Sequence, residues 1–161
     1  KNIYKVIPEC QTNFVFAKKN PKNVTDVLGI SGRLVKSGKE VVTAGEIVYG
    51  GSQHVGTAVI QVNKKFPEVR SGINIKYDPK IIAKAKKSKF TVLSYDRSKE
   101  PKKSKQKENS SISWGITNSL NAKSPDVIYH KGDIGKEAMI LIFGKNPSDV
   151  IQKVSKLTSF H

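Results

Sequence analysis

The stretch Gly50-Gly51-Ser52-Gln53-His54-Val55, continuing into Gly56-Thr57-Ala58-Val59-Ile60-Gln61-Val62, organises the rest of the chain. Two adjacent glycines let the backbone take positive φ and approach a ligand closely. Ser52 reads as a helix N-cap, its hydroxyl accepting from amides of the first turn. Val55, Val59 and Val62 recur at helical spacing with Ala58 beside them, which predicts a helix burying one face. A glycine turn that opens a helix points N–H groups and the positive end of the dipole outward, an arrangement suited to phosphate. His54, one of three histidines, stands in the first turn, where it can donate to or protonate an anion. Taken alone, the same residues also fit an ordinary glycine turn with a surface histidine.

Working outward, 161 residues with 37% hydrophobic and 26% charged content fit one globular domain with a sizeable core. No apolar run approaches the ~18 residues of a membrane helix, and no signal peptide is visible, so a cytoplasmic protein without a membrane partner is expected. The single cysteine, Cys10, excludes an internal disulfide and fits a reducing compartment. The chain starts without a methionine, which suggests a domain, residues 1–161, excised from a longer protein.

The formal net charge is +16. It fits either nucleic-acid binding or a lysine-rich surface around a site for small anions. Only Arg33, Arg70 and Arg97 among the 29 basic residues are arginines, whereas readers of bases and phosphates favour the bidentate guanidinium. The lysines are therefore taken as background, the arginines as candidates, and nucleic acid is not expected as a partner.

Along the chain, Ile3 to Ile7 reads as a strand ended by Pro8, and Phe14–Ala17 as a second. Only a short helical piece fits between Asn20-Pro21 and Gly29. Gly32–Lys36 and Glu40–Thr43 read as a hairpin about Ser37-Gly38, and Ile47–Tyr49 as a strand feeding the glycine turn. Further strands are expected at Gly72–Tyr77, Phe90–Ser94 (buried), Pro125–His130 and Ala138–Phe143. Helices are expected after Asp78-Pro79, after Ser110-Ser111, and after Asn146-Pro147, the last with Val150, Ile151, Val154 and Leu157 on one face. Residues 98–107 read as a mobile, lysine-rich loop. The mixture of elements predicts an α/β layered sheet.

Polar groups gather where strands end, as in the binding sites of open α/β sheets. Candidate substrate contacts there are Asn13, Gly51, Ser52, Gln53, Asn74, Asp96, Arg97 and Lys136. Asp96, Glu100, Asp133 and Glu137 could hold hydrated Mg²⁺ beside phosphates, with Asp133 and Glu137 the pair retained; capped turns or surface ion pairs explain the same residues. Zinc spacing, a Walker loop and a dinucleotide fingerprint are absent from the sequence.

The segments Ile7-Pro8-Glu9 with Asn13, Gly32-Arg33, Ser52-Gln53-His54-Val55, Asn74-Ile75-Lys76-Tyr77-Asp78, Tyr95-Asp96-Arg97 with Glu100-Pro101, Trp114-Gly115, Pro125-Asp126-Val127-Ile128-Tyr129 and Gly132-Asp133-Ile134-Gly135-Lys136-Glu137 resemble the ThiN domain in order over essentially the whole chain. The resemblance implies an AraD-like aldolase fold: three layers, α/β/α, about a mixed, mostly antiparallel sheet. It implies a thiamine-phosphate synthase, a transferase that condenses hydroxymethylpyrimidine diphosphate with hydroxyethylthiazole phosphate and releases diphosphate. The family's essential arginine and histidine fall on Arg33 and His54, and Mg²⁺ would neutralise the diphosphate. The alternative is a non-catalytic domain of a regulator that senses thiamine phosphates. A fused hydroxymethylpyrimidine kinase domain and a homo-oligomer are both compatible with the resemblance. Cys10-Gln11 and Gln53 depart from the family pattern, where Val-Gly and Arg are frequent. The histidine zinc cluster of the aldolase relatives is missing, so retro-aldol chemistry is not implied.

Overall fold

The computed structural model describes residues 3–101 and 109–159. Its centre is a seven-stranded sheet ordered β5-β2-β1-β6-β9-β8-β7, formed by β1 (Phe14–Ala17), β2 (Val27–Ile30), β5 (Ile47–Tyr49), β6 (Ser71–Lys76), β7 (Val92–Ser94), β8 (Val127–His130) and β9 (Met139–Gly144). Every neighbouring pair is antiparallel except β7 with β8. A separate hairpin joins β3 (Leu34–Ser37) and β4 (Glu40–Thr43) through Gly38 and Lys39, as its polar tip predicts.

Among the described residues, four helices cover both faces. On one face, α1 (Gln53–Lys65) and α3 (Ser110–Ser119) pack Val55, Val59, Val62, Ile112 and Ile116 against Val15, Ile128, Leu141 and Phe143. On the other, α2 (Pro79–Lys87) and α4 (Pro147–Thr158) pack Ile81, Ile82, Ala85, Val150, Val154 and Leu157 against Ile73, Ile75, Ile140 and Ile142. All six residues of β9 are buried, which is why it reads as a continuous apolar run instead of alternating. Fully burying each such side chain is worth about 1.5–3 kcal/mol, so the two helical layers fix the sheet between them. Asp78 caps α2 by accepting the Lys80 amide, and Asn146 caps α4 by accepting the Asp149 amide, both followed by proline at the first helical position.

Several expectations need correction. Ile3 to Ile7 is not a strand; Ile3–Val6 is a 3-10 turn. Both edges of β1 are already taken by β2 and β6, so the preceding segment has no free edge there to join. The short helical piece expected before Gly29 is the 3-10 turn Val24–Asp26, but Val27–Ile30 is a strand that the sequence reading does not expect. A side chain at 29 would press on Ser52, with its Cβ 3.0 Å away, so the glycine admits the α1 turn instead of ending an element. The strand expected over 90–94 begins at Val92, lies at the sheet edge and is only half-buried. Ser52 occupies the N-cap position of α1, but its side chain makes no capping hydrogen bond. The expected loop over 98–107 lies mostly outside the described residues.

Candidate active site

One end of the sheet carries a cavity of about 1280 Å³, bounded by the start of β1, the ends of β2, β6 and β8, the start of β9 and the N-termini of α1 and α3. The arrangement follows from the topology. Antiparallel pairing alternates strand starts and ends, so polar residues distant in sequence converge at one edge of the sheet.

The glycine turn is held by packing. A Cβ on Gly51 would lie 2.3 Å from the Gly29 carbonyl oxygen, so only glycine lets the turn cross β2 there. Asn13 locks the same crossing. Its Oδ1 accepts the Ile30 amide at 3.0 Å, while its Nδ2 donates to the Ile30 carbonyl at 2.8 Å and the Gly51 carbonyl at 3.4 Å. Asn74 accepts the Asn13 amide at 2.7 Å and donates to the Gln11 carbonyl at 2.9 Å. Both asparagines line the cavity with amides already engaged by protein, so they place the walls.

Arg33 stands between β2 and β3 at φ +66°, a left-handed conformation costly for a residue with a Cβ. Among the described residues, five non-glycine residues have positive φ, and three of them, Gln11, Arg33 and Asn109, line this cavity. Such strain collects where surrounding structure dictates a side-chain position. The Arg33 guanidinium donates through Nη1 to the Cys10 carbonyl. The loop that carries Cys10 is tied from the other side by Glu137, whose two carboxylate oxygens accept the Glu9 and Cys10 amides, each at 3.0 Å.

His54 lies in the first turn of α1 and lines the cavity with Gly51, Ser52 and Gln53. The residue is exposed to the cavity, with protein walls crowded close around it. That enclosure, then Arg97, Arg33 and Lys136 in turn, push its pKa down to about 4. Desolvation and nearby cations act in the same direction, so the imidazole is neutral in the ligand-free site. His130, at the end of β8, is buried and held down to about 3, by burial first and then by Arg97 and His54. Its Nδ1 accepts the Gly132 amide at 3.1 Å. Gly132 sits at φ +83° where a Cβ would come within 2.4 Å of the Lys136 carbonyl oxygen, so this turn too requires glycine.

Most of the expected site residues come together. Asn13, Arg33, Gly51, Ser52, Gln53, His54, Asn74, Arg97, Asp133, Lys136 and Glu137 all line the one cavity. Asp96 does not. Its Oδ1 accepts the Ser98 amide at 2.9 Å and the Ser98 hydroxyl at 2.7 Å, which caps the 3-10 turn Arg97–Lys99 and holds the carboxyl below its usual range. Arg97 is buried and pairs with Glu100 at 3.6 Å, and the other Glu100 oxygen accepts the Ser111 hydroxyl. His130, Lys76, Glu9, Gln11, Asn109 and Ser111 also line the cavity and were missed. His130 carried a signal, since it stands at a strand end two residues before a glycine, but it matches no metal spacing and was set aside.

Both members of the expected Mg²⁺ pair, Asp133 and Glu137, line the cavity. Glu137 spends both oxygens on backbone amides, and no group of three or more His, Cys, Asp or Glu among the described residues could hold a cation. The Cys10 thiol is pushed up to about 11, by partial enclosure and then by Glu137, so it is no nucleophile at neutral pH. What the cavity offers is a set of anion-binding groups: Arg33, Lys76, Arg97 and Lys136, with two helix N-termini whose N-cap side chains form no capping bond.

Comparison with known proteins decides the family, for the model of thiamine-phosphate synthase ThiN matches residues 1–156. The chain belongs to the ThiN family. It is 38% identical over 154 residues to the thiamine-phosphate synthase ThiN of Methanothermobacter thermautotrophicus, covering 94% of this chain and 81% of that one. It is 34% identical over 163 residues to the bifunctional thiamine biosynthesis protein ThiDN of Methanocaldococcus jannaschii, covering 98% of this chain and 37% of that longer protein. A crystal structure of the C-terminal domain of a phosphomethylpyrimidine kinase superposes with a TM-score of 0.91 at 42% identity, over 97% of this chain and 89% of that one. ThiN domains therefore occur both in a shorter protein and as part of a bifunctional one.

Proposed function

We propose that this ThiN domain is a thiamine-phosphate synthase, joining hydroxymethylpyrimidine diphosphate to hydroxyethylthiazole phosphate with release of diphosphate. The observation that carries the reading is the convergence of Arg33, His54, Arg97 and Lys136 on one cavity in a chain matched by the family model over residues 1–156. Both substrates are polyanions, and the cavity holds them with cations and helix termini.

The demanding step is breakage of the bond between the pyrimidine methylene and the diphosphate oxygen, assisted by electron release from the aminopyrimidine. The thiazole nitrogen then forms the new carbon–nitrogen bond, and the electron pair of the broken bond leaves on the diphosphate. Arg33 grips the departing diphosphate, and its anchor on Cys10 keeps the guanidinium oriented before substrate arrives. His54, neutral in the ligand-free site, donates to the oxygen on which charge accumulates. Asn13 and Asn74 hold the glycine turn in register with β1 and β6. Mg²⁺ belongs to this reading only as the companion of the diphosphate, with no protein ligand assigned.

A sensing domain of a regulator gains no support from the relatives, which are named for synthesis and biosynthesis. Kinship with AraD-like aldolases remains part of the proposal, supported by helical layers on both faces of a mostly antiparallel sheet. So does a fused kinase domain, as the ThiDN relative suggests. A cytoplasmic site of action is also proposed, consistent with a lone free cysteine; no helix among the described residues is long and apolar enough to cross a membrane. The test is direct: incubate the purified chain with both substrates and Mg²⁺, and follow thiamine phosphate and diphosphate. Equimolar appearance of the two supports the reading, and their absence with a folded protein removes it.

A further inference from the structure

The geometry points to a second anion subsite, formed by Arg97 and His130 at the N-terminus of α3, as the seat of the phosphate on the thiazole substrate. This rests on the reading above and deepens it.

The chemistry requires two separate anion positions. The diphosphate leaves from the carbon under attack, whereas the thiazole phosphate hangs from a side chain remote from the attacking nitrogen. The two anions must therefore lie on different sides of the reacting atoms. The cavity distributes its cations in that manner. Arg33 reaches it from the connection between β2 and β3, anchored on the Cys10 carbonyl, and Arg97 from the 3-10 turn Arg97–Lys99, paired with Glu100. The two guanidiniums are thus held by different walls of the cavity.

At the Arg97 wall one buried side chain has a polar atom without a protein partner among the described residues. Arg97 is only 8% exposed, and its buried Nε–H makes no hydrogen bond; Glu100 faces Nη2 at 3.6 Å instead. An orphaned donor on a buried guanidinium is costly unless a ligand oxygen or water meets it. His130 is only 3% exposed. A backbone N–H can only donate, so the bond from Gly132 puts the lone pair on Nδ1, and the neutral ring carries its proton on Nε2. The residue lines the cavity, with its Nδ1 already engaged by the protein. The ten-residue α3 opens at the same place, with Asn109 and Ser111 in the cavity wall and no side-chain cap from Asn109. Glu100 ties the two parts together, pairing with Arg97 and accepting the Ser111 hydroxyl. Its charge is shared between them, which leaves the helix end and the free guanidinium edge for a phosphate.

The experiment removes the phosphate from the substrate and the donor from the protein in turn. kcat/KM is measured for hydroxyethylthiazole phosphate and for the same thiazole as the free alcohol, with wild type, Arg97→Gln and His130→Phe. Wild type should prefer the phosphorylated substrate strongly, and each variant should shrink that preference by about 10- to 100-fold, as expected for charge-assisted hydrogen bonds. Should Arg97→Gln leave Glu100 unpaired and the fold unstable, the double variant Arg97→Gln with Glu100→Gln removes the stranded charge. Calorimetric titration of the thiazole phosphate alone provides a readout that needs no turnover, so it separates failure of this subsite from failure of the synthase reading. Weakening of that binding by a similar factor in both variants supports the assignment. Unchanged binding, or an equal loss with phosphate and alcohol, overturns it.

Discussion

Arg33 donates from Nη1 to the carbonyl oxygen of Cys10 while its own backbone stands at φ +66°. A strained residue thus spends one arm of its fork on the protein and keeps the rest of the guanidinium for the cavity. Lysine has neither the planar fork nor a second fixed donor. Arg33→Lys should therefore lose nearly as much kcat as Arg33→Ala, on the order of 100-fold or more. Retention of most turnover by the lysine variant would reduce Arg33 to a local positive charge.

His54 should take up a proton when diphosphate binds. The ligand-free site holds its pKa near 4 through enclosure and three cations, and a bound polyanion offsets both. NMR titration of the ring with and without diphosphate should show an upward shift. His54→Ala should lower kcat more than it raises KM, because the interaction grows as charge reaches the leaving oxygen. His54→Gln distinguishes a donor from an acid: substantial activity in Gln with loss in Ala marks hydrogen bonding. Normal turnover in His54→Ala would move the site elsewhere.

Stability should fall in mild acid. His54 and His130 have folded pKa values of about 4 and 3, below the ordinary 6.5, so the unfolded chain binds more protons in between. Stability is therefore complete above the unfolded value and declines as pH drops from about 6.5 toward 3. His130→Phe should flatten this slope even though it strands the Gly132 amide and lowers stability throughout. Urea midpoints at a series of pH values provide the check, and parallel curves for variant and wild type would contradict the assignment.

Asp96→Asn should leave turnover within about 2-fold, because the carboxylate caps a turn beneath the site instead of facing it. A 100-fold loss of kcat would show that Asp96 reaches substrate after all.

Much of this was legible in the chain itself. Glycines at 50 and 51, an N-cap at 52 and valines at 55, 59 and 62 specify a turn and a helix through local sterics and periodicity, and they place His54 at a helix start. The Asp78-Pro79 and Asn146-Pro147 caps are equally local. The scarcity of arginine singled out Arg33 and Arg97, both of which reach the cavity. Tertiary structure alone decided the rest, since strand pairing joins residues far apart in sequence and side-chain environment depends on what packs across the gap. It turned Val27–Ile30 into a strand wedged between β1 and β5, and Ile3–Val6 into a turn with no free β1 edge to join. It made Glu137 a clamp on Glu9 and Cys10, residues more than 120 positions away. It also buried His130 in the cavity wall, where enclosure and neighbouring positive charge, which no local pattern encodes, keep its ring neutral.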